Sequence, residues 1–360
     1  MSDSRSAYAR SGVDTGAAAS GIGALVGALG RIDPGRPRRS LLGSGHYASV
    51  LALDERTAIA ICTDGVGTKL IVAEQARRFD TVGIDCVAMN VNDLVCVGAE
   101  PIAMVDYIAV EQVEPHVLGE IGESLRVGAE QAGIEIPGGE LAQVPEMLRG
   151  HPSPHGIDLV GAAIGVLPRD EILTGAGIEP GDVVIGLPSS GLHSNGFTLA
   201  RRALFDDGGL SLADAPAELG RTLAEELLQP TEIYVRAAID LLRSEADVRG
   251  LAHITGDGLL NLTRLNDGVG YRIDAALEPQ PIFALIQDRG GVPDHEMWAV
   301  FNMGTGFCCV VPAPGADHAL EVLRQRHPGA AVIGEVTGEA GVVRLPEAGL
   351  TGDRNGFRPA

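Results

Sequence analysis

The stretch TVGIDCVAMNVNDLVCVGA, residues 81–99, places Val, Met, Leu, Cys and Ala on nearly every side of a helix. A helix that is apolar all round has no face to give to water and has to be buried. Three polar residues interrupt it: Asp85, Asn92 and Asp93. A buried charge needs a partner. Asp85 and Asn92 are seven apart and share nearly one face, with Asp93 flanking. An exposed polar stripe is the competing reading, and the apolar residues around all three disfavour it.

The flanks predict alternating strands and helices. ASVLAL (48–53), TAIAICTD (57–64), PIAMVDYIAV (101–110) and GIDLVGAAIGVL (156–167) read as strands, and 114–132 as an amphipathic helix. After the turn GAGIEPGD (175–182) the pattern restarts. VVIGLPS reads as a strand, 196–206, 217–228 and 232–244 as helices, and GLAHIT (250–255) as a strand. The class is therefore α/β or α+β. At 360 residues two domains are expected. They run over 1–167 and 168–346, and TGDRNGFRPA closes a loose tail at 347–360. The segment 16–30 is glycine-rich, ends at Arg31 without a cleavage pattern and reads as part of a soluble protein. No run approaches the length of a membrane span.

Charge narrows the function. With 27 basic and 48 acidic residues the net charge is −21. Such a field repels nucleic acid and anionic membranes, so neither is an expected partner. An anionic substrate then needs metal ions, backbone N–H groups or a few placed cations. The five cysteines, Cys62, Cys86, Cys96, Cys308 and Cys309, lie in apolar runs without a C-x-x-C pair. They read as reduced, buried thiols of a cytoplasmic protein.

Candidate chemistry sits at strand-to-loop junctions. CTDGVGTKL (62–70) has the elements of a phosphate loop in the wrong order for a Walker motif, since Thr68 precedes Lys69. Asp64 falls where a strand ends and a helix begins, Gly65 and Gly67 allow close backbone approach, and Lys69 supplies a point charge. The plain alternative makes Asp64 a helix N-cap. PGGELAQVPEM (137–147) puts Glu140 after Gly138 and Gly139. Asp64, Asp93 and Glu140 together could hold a hard cation such as Mg²⁺ and bridge it to nucleotide phosphates. PSSGLHSNGFTLAR (188–201) brings His193 and Asn195 to a helix start, and HITGDGLLNL (253–262) is a further strand–glycine–helix junction. For His193 the plain reading is a turn residue without chemistry.

YARSGVD, TDGVGTKL, GIDCVAMNVNDLVCVGAEP, GGELAQVPEM, SSGLHSNGFTLAR, ELLQPTEIYV, AHITGDGLL and FNMGTGF occur in this order from Tyr8 to Glu339. Together they resemble the phosphoribosylformylglycinamidine cyclo-ligase (aminoimidazole ribonucleotide synthetase) family. The resemblance implies two domains, with the N-terminal sheets of a homodimer forming a barrel across the interface and a C-terminal α/β domain packed against it. It implies ATP and Mg²⁺ in a cleft and a ribonucleotide substrate. A formyl-amide oxygen is phosphorylated, the amidine nitrogen attacks that carbon, and phosphate leaves. It implies metal positions at Asp64, Asp93 and Glu140, and cofactor binding by Asp64, Gly65, Gly67, Thr68, Lys69, Asp85, Asn90, Gly138 and Gly139. It also implies catalytic roles for Lys69, His193 and Asn195.

The sequence departs from the family pattern at Leu141, Gln143, Glu232 and Asp257, in GSGHYAS (43–49), and before FN in EMWAVFN, where an arginine is usual. Lost cations and an added acid near a substrate phosphate keep two other readings open. One is a paralogue that phosphorylates or cyclises a different small molecule. The other is a nucleotide sensor without turnover.

Overall fold

The computed structural model describes residue 12, residues 15–43 and residues 45–360. The motif at 8–14 lies almost wholly outside them, as does Ser44 of the 43–49 loop. Helix α1 (Thr15–Leu29) leads into β1 (Ser49–Ala52) and β2 (Thr57–Gly65). Then follow α2 (Lys69–Ala76), α3 (Val82–Cys96), β3 (Glu100–Val110), α4 (Pro115–Ala132), β4 (Gly139–Gln143) and β5 (Ile157–Pro168). These strands form one five-stranded sheet in the order β1-β2-β5-β3-β4, antiparallel except for the parallel β3–β4 pair.

The rest of the chain builds β6 (Asp182–Pro188), α5 (Phe197–Arg201), α6 (Leu223–Leu227), α7 (Val235–Leu242), β7 (Gly250–His253) and β8 (Gly270–Ile273). It ends with α8 (Pro281–Gly290), α9 (Asp294–Val300), β9 (Thr305–Pro312), α10 (Ala316–Arg324), β10 (Ala331–Thr337), β11 (Val343–Leu345), β12 (Leu350–Asp353) and β13 (Gly356–Pro359). The eight strands form a second sheet in the order β13-β12-β11-β8-β10-β6-β9-β7. No helix among the described residues is long and apolar enough to cross a membrane.

Helix α3 is the axle between the two halves. It packs on β2 and β5, on α4, and on β7 and α7 of the second half. Covered on all these sides, every residue from Val82 to Cys96 except Asp93 is buried. The composition of 81–99 requires this arrangement. Close helix contact is built in at Gly83, where an added Cβ would lie 2.3 Å from the Leu125 nitrogen of α4.

The strands alternate cleanly. Ala58, Ala60, Leu159, Ala163 and Met104 point to the helices and are buried. Ile102, Val105, Tyr107 and Ile164 are exposed, so the side of the first sheet turned away from α3 carries an apolar surface.

Two expectations need correction. The tail is not loose. Residues 350–359 make the β12–β13 hairpin, which pairs with β11 and buries Leu350 and Phe357. The polar turn DRNG is the hairpin tip between two strands with apolar anchors. The helix expected over 217–228 is confined to Leu223–Leu227. Gly220 takes a φ of +65° just upstream, and Thr222 with Glu225 closes a capping box that fixes the start.

Candidate active site

Asp64 is the next-to-last residue of β2, opposite Gly161 of β5. Its peptide is clasped by Asn90 of α3. Asn90 Oδ1 accepts the Asp64 N–H at 3.0 Å, and Asn90 Nδ2 donates to the Asp64 carbonyl at 3.1 Å and to the Cys86 carbonyl at 2.9 Å. Asn90 is fully buried, so this residue supports the site from below and does not present itself to a cofactor. The Asp64 carboxylate accepts the adjacent Gly65 N–H at 2.7 Å. It does not cap a helix, because α2 starts only after Thr68. Burial, and next the Asp93 charge, hold Asp64 above the usual carboxylate range against the opposing pull of the Gly65 N–H. Gly67, with a φ of +69°, and Thr68 are exposed at the turn into α2. Thr68 Oγ1 lies 3.1 Å from Thr198 Oγ1 of α5, which links this turn to the second half.

Asp93 stands one turn beyond Asn90 and is buttressed by His253 at the end of β7, with Nδ1 2.9 Å from Asp93 Oδ1. The Asn92 amide lies 3.4 Å from His253 Nε2, which makes Nε2 the acceptor and leaves the Nδ1 proton to donate to Asp93. His253 is fully buried. The sequence points to its junction but not to this residue. The available signal is its place one residue short of the Thr-Gly-Asp-Gly turn, on the last residue of a buried strand.

Glu140 does not join these acids. Its β4 position pairs with Tyr107, which pairs with Val160, while Asp64 pairs with Gly161. Asp64 and Glu140 therefore point to opposite faces of the sheet. They are also three strand spacings apart, roughly 14 Å. Among the described residues no three His, Cys, Asp or Glu side chains are grouped to hold a metal. The residue on Asp64's own row is Asp106, beyond Gly161, and burial raises its carboxyl above the usual range. Gly139 makes room for it, since a Cβ there would fall 2.4 Å from the Asp106 carboxylate. Gly138 meets no such contact.

Lys69, expected beside phosphate, is fully buried. Its ammonium lies 2.9 and 2.8 Å from the two Asp85 oxygens, 3.1 Å from the His193 carbonyl and 2.6 Å from the Gln229 carbonyl. An ammonium has three protons, and these partners use all of them. Asp85 in turn accepts from the Thr231 N–H and hydroxyl, both at 2.7 Å, and is equally buried. Neither Lys69 nor Asp85 faces a ligand in this arrangement.

His193 is also buried, with a φ of +62° that is unusual for a side chain of its kind. Its Nε2 accepts the Ser190 N–H at 3.2 Å, and Nδ1 has no hydrogen-bond partner. Burial above all, and the nearby Lys69 charge, push its pKa well below the ordinary imidazole value. It is neutral at pH 7. Asn195, half-buried, reaches toward Met89 of α3 and the Gly256 turn.

The departures fall at three places. Glu232 lines an open groove of about 860 Å³ with Gln131, Arg236, Arg326 and His327, and none of Asp64, Asp93, Asn195 or His253 lines it. Asp257 is 68 % exposed and lies 3.6 Å from Arg264. Leu141 and Gln143 are exposed on β4.

Two buttressed acids beside an exposed glycine turn stand at the seam of two α/β halves. Family models cover both halves. "AIR synthase related protein, N-terminal domain" matches residues 45–167 and "AIR synthase related protein, C-terminal domain" matches 179–345. The chain belongs to the AIR synthase related family, among the phosphoribosylformylglycinamidine cyclo-ligases. It is 50% identical over 306 residues to the cyclo-ligase of Methanothermobacter thermautotrophicus, covering 85% of this chain and 87% of that one. It is 48% identical over 292 residues to that of Methanocaldococcus jannaschii, covering 81% of each. Among solved structures, hydrogenase maturation protein HypE in complex with ATP aligns with a TM-score of 0.58 at 20% identity, over 86% of each chain. PurL of T. maritima complexed with FGAR aligns with a TM-score of 0.58 at 18% identity, over 89% of this chain and 47% of that one. At such identities these two likenesses show the fold.

Proposed function

We propose that this protein closes the imidazole ring of formylglycinamidine ribonucleotide, using ATP and releasing ADP, phosphate and aminoimidazole ribonucleotide. The observation that carries the reading is the Asp64–Asp93 pair, held from behind by Asn90 and His253, in a chain half identical to named cyclo-ligases.

The residues fit a hard cation with bound phosphates. Mg²⁺ is usually held by only one or two protein carboxylates and completes its shell with water and phosphate oxygens. Asp64 and Asp93 supply that number, and their mutual repulsion gives a cation something to relieve. The exposed turn at Gly67 and Thr68, at the start of α2, suits a phosphate. Mg-ATP, when bound, would supply the phosphoryl group that turns an amide oxygen into a leaving group. The chain's own part is positional. Asn90 fixes the Asp64 peptide, His253 fixes the Asp93 carboxylate, and Asn195 reaches from the second half toward the same seam.

The protein acts as a cytoplasmic homodimer in this reading. The apolar outer face of the first sheet, with Val105 47% and Tyr107 42% exposed, is suited to cover by a second copy. Glu140 stands on that same face, so its contribution belongs to the dimer. Against the paralogue reading stands the identity itself, 50% to a named cyclo-ligase and 20% to HypE.

Purified protein incubated with Mg-ATP and formylglycinamidine ribonucleotide should form ADP, phosphate and aminoimidazole ribonucleotide in equal amounts. ATP binding without any such product, in folded dimeric protein, would overturn the reading.

A further inference from the structure

The geometry points to Lys69 as a positioning residue that ties the nucleotide turn to the 189–196 loop, and not as a phosphate ligand. The inference rests on the proposed function for its substrate but not for its structural content. Lys69 directly follows the exposed Gly67–Thr68 turn, yet its own side chain turns inward. There one ion pair joins four separate pieces of chain: α2 through Lys69, α3 through Asp85, the 189–196 loop through the His193 carbonyl, and the 229–231 segment through Gln229 and Thr231. Two pieces belong to the first half and two to the second.

The tie acts on a backbone that needs holding. His193 sits in the left-handed region, Gly191 has a φ of +146° and Gly196 a φ of +76°. A non-glycine residue in that region persists only where its surroundings impose it. The ammonium binds the His193 carbonyl itself, so the charge grips the strained peptide directly. Two residues later the same loop delivers Asn195 to the seam. The Thr68–Thr198 contact adds a second, weaker link from the turn to α5, which directly follows the loop. A shift of the 67–68 turn on nucleotide binding therefore pulls on the loop that carries Asn195, and this is coupling between two sites through one buried pair.

The test uses Lys69→Met/Asp85→Asn, which removes both charges and keeps an oxygen acceptor for Thr231. Thr231→Val is a milder second variant that loosens the pair without uncovering a charge; it also removes the contact of the Thr231 hydroxyl to Ser194 Oγ at 3.2 Å, so Ser194→Ala, which loses only that contact, is its control and should leave exchange and KM near wild type. In each, ATP affinity measured by calorimetry should stay within about twofold of wild type, while the ribonucleotide KM rises about tenfold or more. Amide hydrogen exchange over 189–196 should speed up, and ATP should no longer slow it. ATP affinity falling in step with turnover would return Lys69 to the phosphate. Unchanged exchange and unchanged KM in folded protein would make the pair inert and overturn the inference. If the double variant does not fold, Thr231→Val alone decides between these outcomes. The exchange arm needs no ribonucleotide, so it reads the tie even if the proposed substrate is wrong.

Discussion

Asn90 holds the peptide of Asp64 with both polar atoms of its amide, one accepting the N–H at 3.0 Å and one donating to the carbonyl at 3.1 Å. The aim of the Asp64 carboxylate therefore depends on a residue that never meets ligand. Replacing Asn90 with Ala leaves these buried groups short of a partner, at a cost of about 1–3 kcal/mol. Urea unfolding should show that loss, and ATP turnover should fall with it because Asp64 is no longer oriented.

Gly83 sets the distance between α3 and α4. A Cβ there would meet the Leu125 nitrogen at 2.3 Å and Ser124 Oγ at 2.4 Å. It would also push on the hydrogen bond that the Gly83 N–H donates to Ser124 Oγ at 2.9 Å. Overpacking of this kind costs about 1–3 kcal/mol. Gly83→Ala should lower the thermal midpoint clearly while leaving the KM for ATP near wild type.

The groove residue Glu232 gives a pH signature. Partial burial, with 43 % of the side chain still exposed, raises its carboxyl above the usual carboxylate range. A carboxyl that is easier to protonate folded than unfolded costs stability once ionised. The penalty is fully present above the raised pKa and disappears as pH falls through the unfolded value. Glu232→Gln should therefore melt higher than wild type at pH 8, and the two should converge near pH ~4. An equal gain at both pH values would contradict this.

The outer face of the first sheet predicts the oligomer. Val105→Glu puts a charge into the middle of that apolar surface, where Val105 is 47 % exposed in the single chain. Sedimentation should show a dimer for wild type and a monomer for the variant, with turnover lost alongside. A variant that stays dimeric would move the interface elsewhere.

Much of this was legible in residue types and spacing. A run apolar on all sides does predict a helix enclosed on all sides, and α3 is one. The Asp85–Asn92 face does find partners, although they are protein and not ligand: Lys69 and Thr231 for Asp85, Glu232 and Tyr234 for Asn92. Lys69 misleads because a lysine beside a glycine turn reads as a phosphate contact, and nothing local shows that its four-carbon stem runs into the core. Glu140 misleads because spacing along the chain says nothing about which face of a sheet a strand presents. His253 is hidden in an apolar strand until β7 is set against α3. The hairpin at 350–359 reads as loose because its turn residues outnumber its two apolar anchors.

Asp64→Asn tests whether Asp64 holds the metal and phosphate end of ATP. The substitution keeps the shape and removes one anionic oxygen. Metal-based charge stabilisation is worth several kcal/mol, so ATP turnover should fall by about 100-fold or more. The thermal midpoint should hold or rise, because burial and Asp93 already disfavour the Asp64 charge in the protein without bound cation. Turnover near wild type in the folded variant would contradict the assignment of Asp64 to the metal.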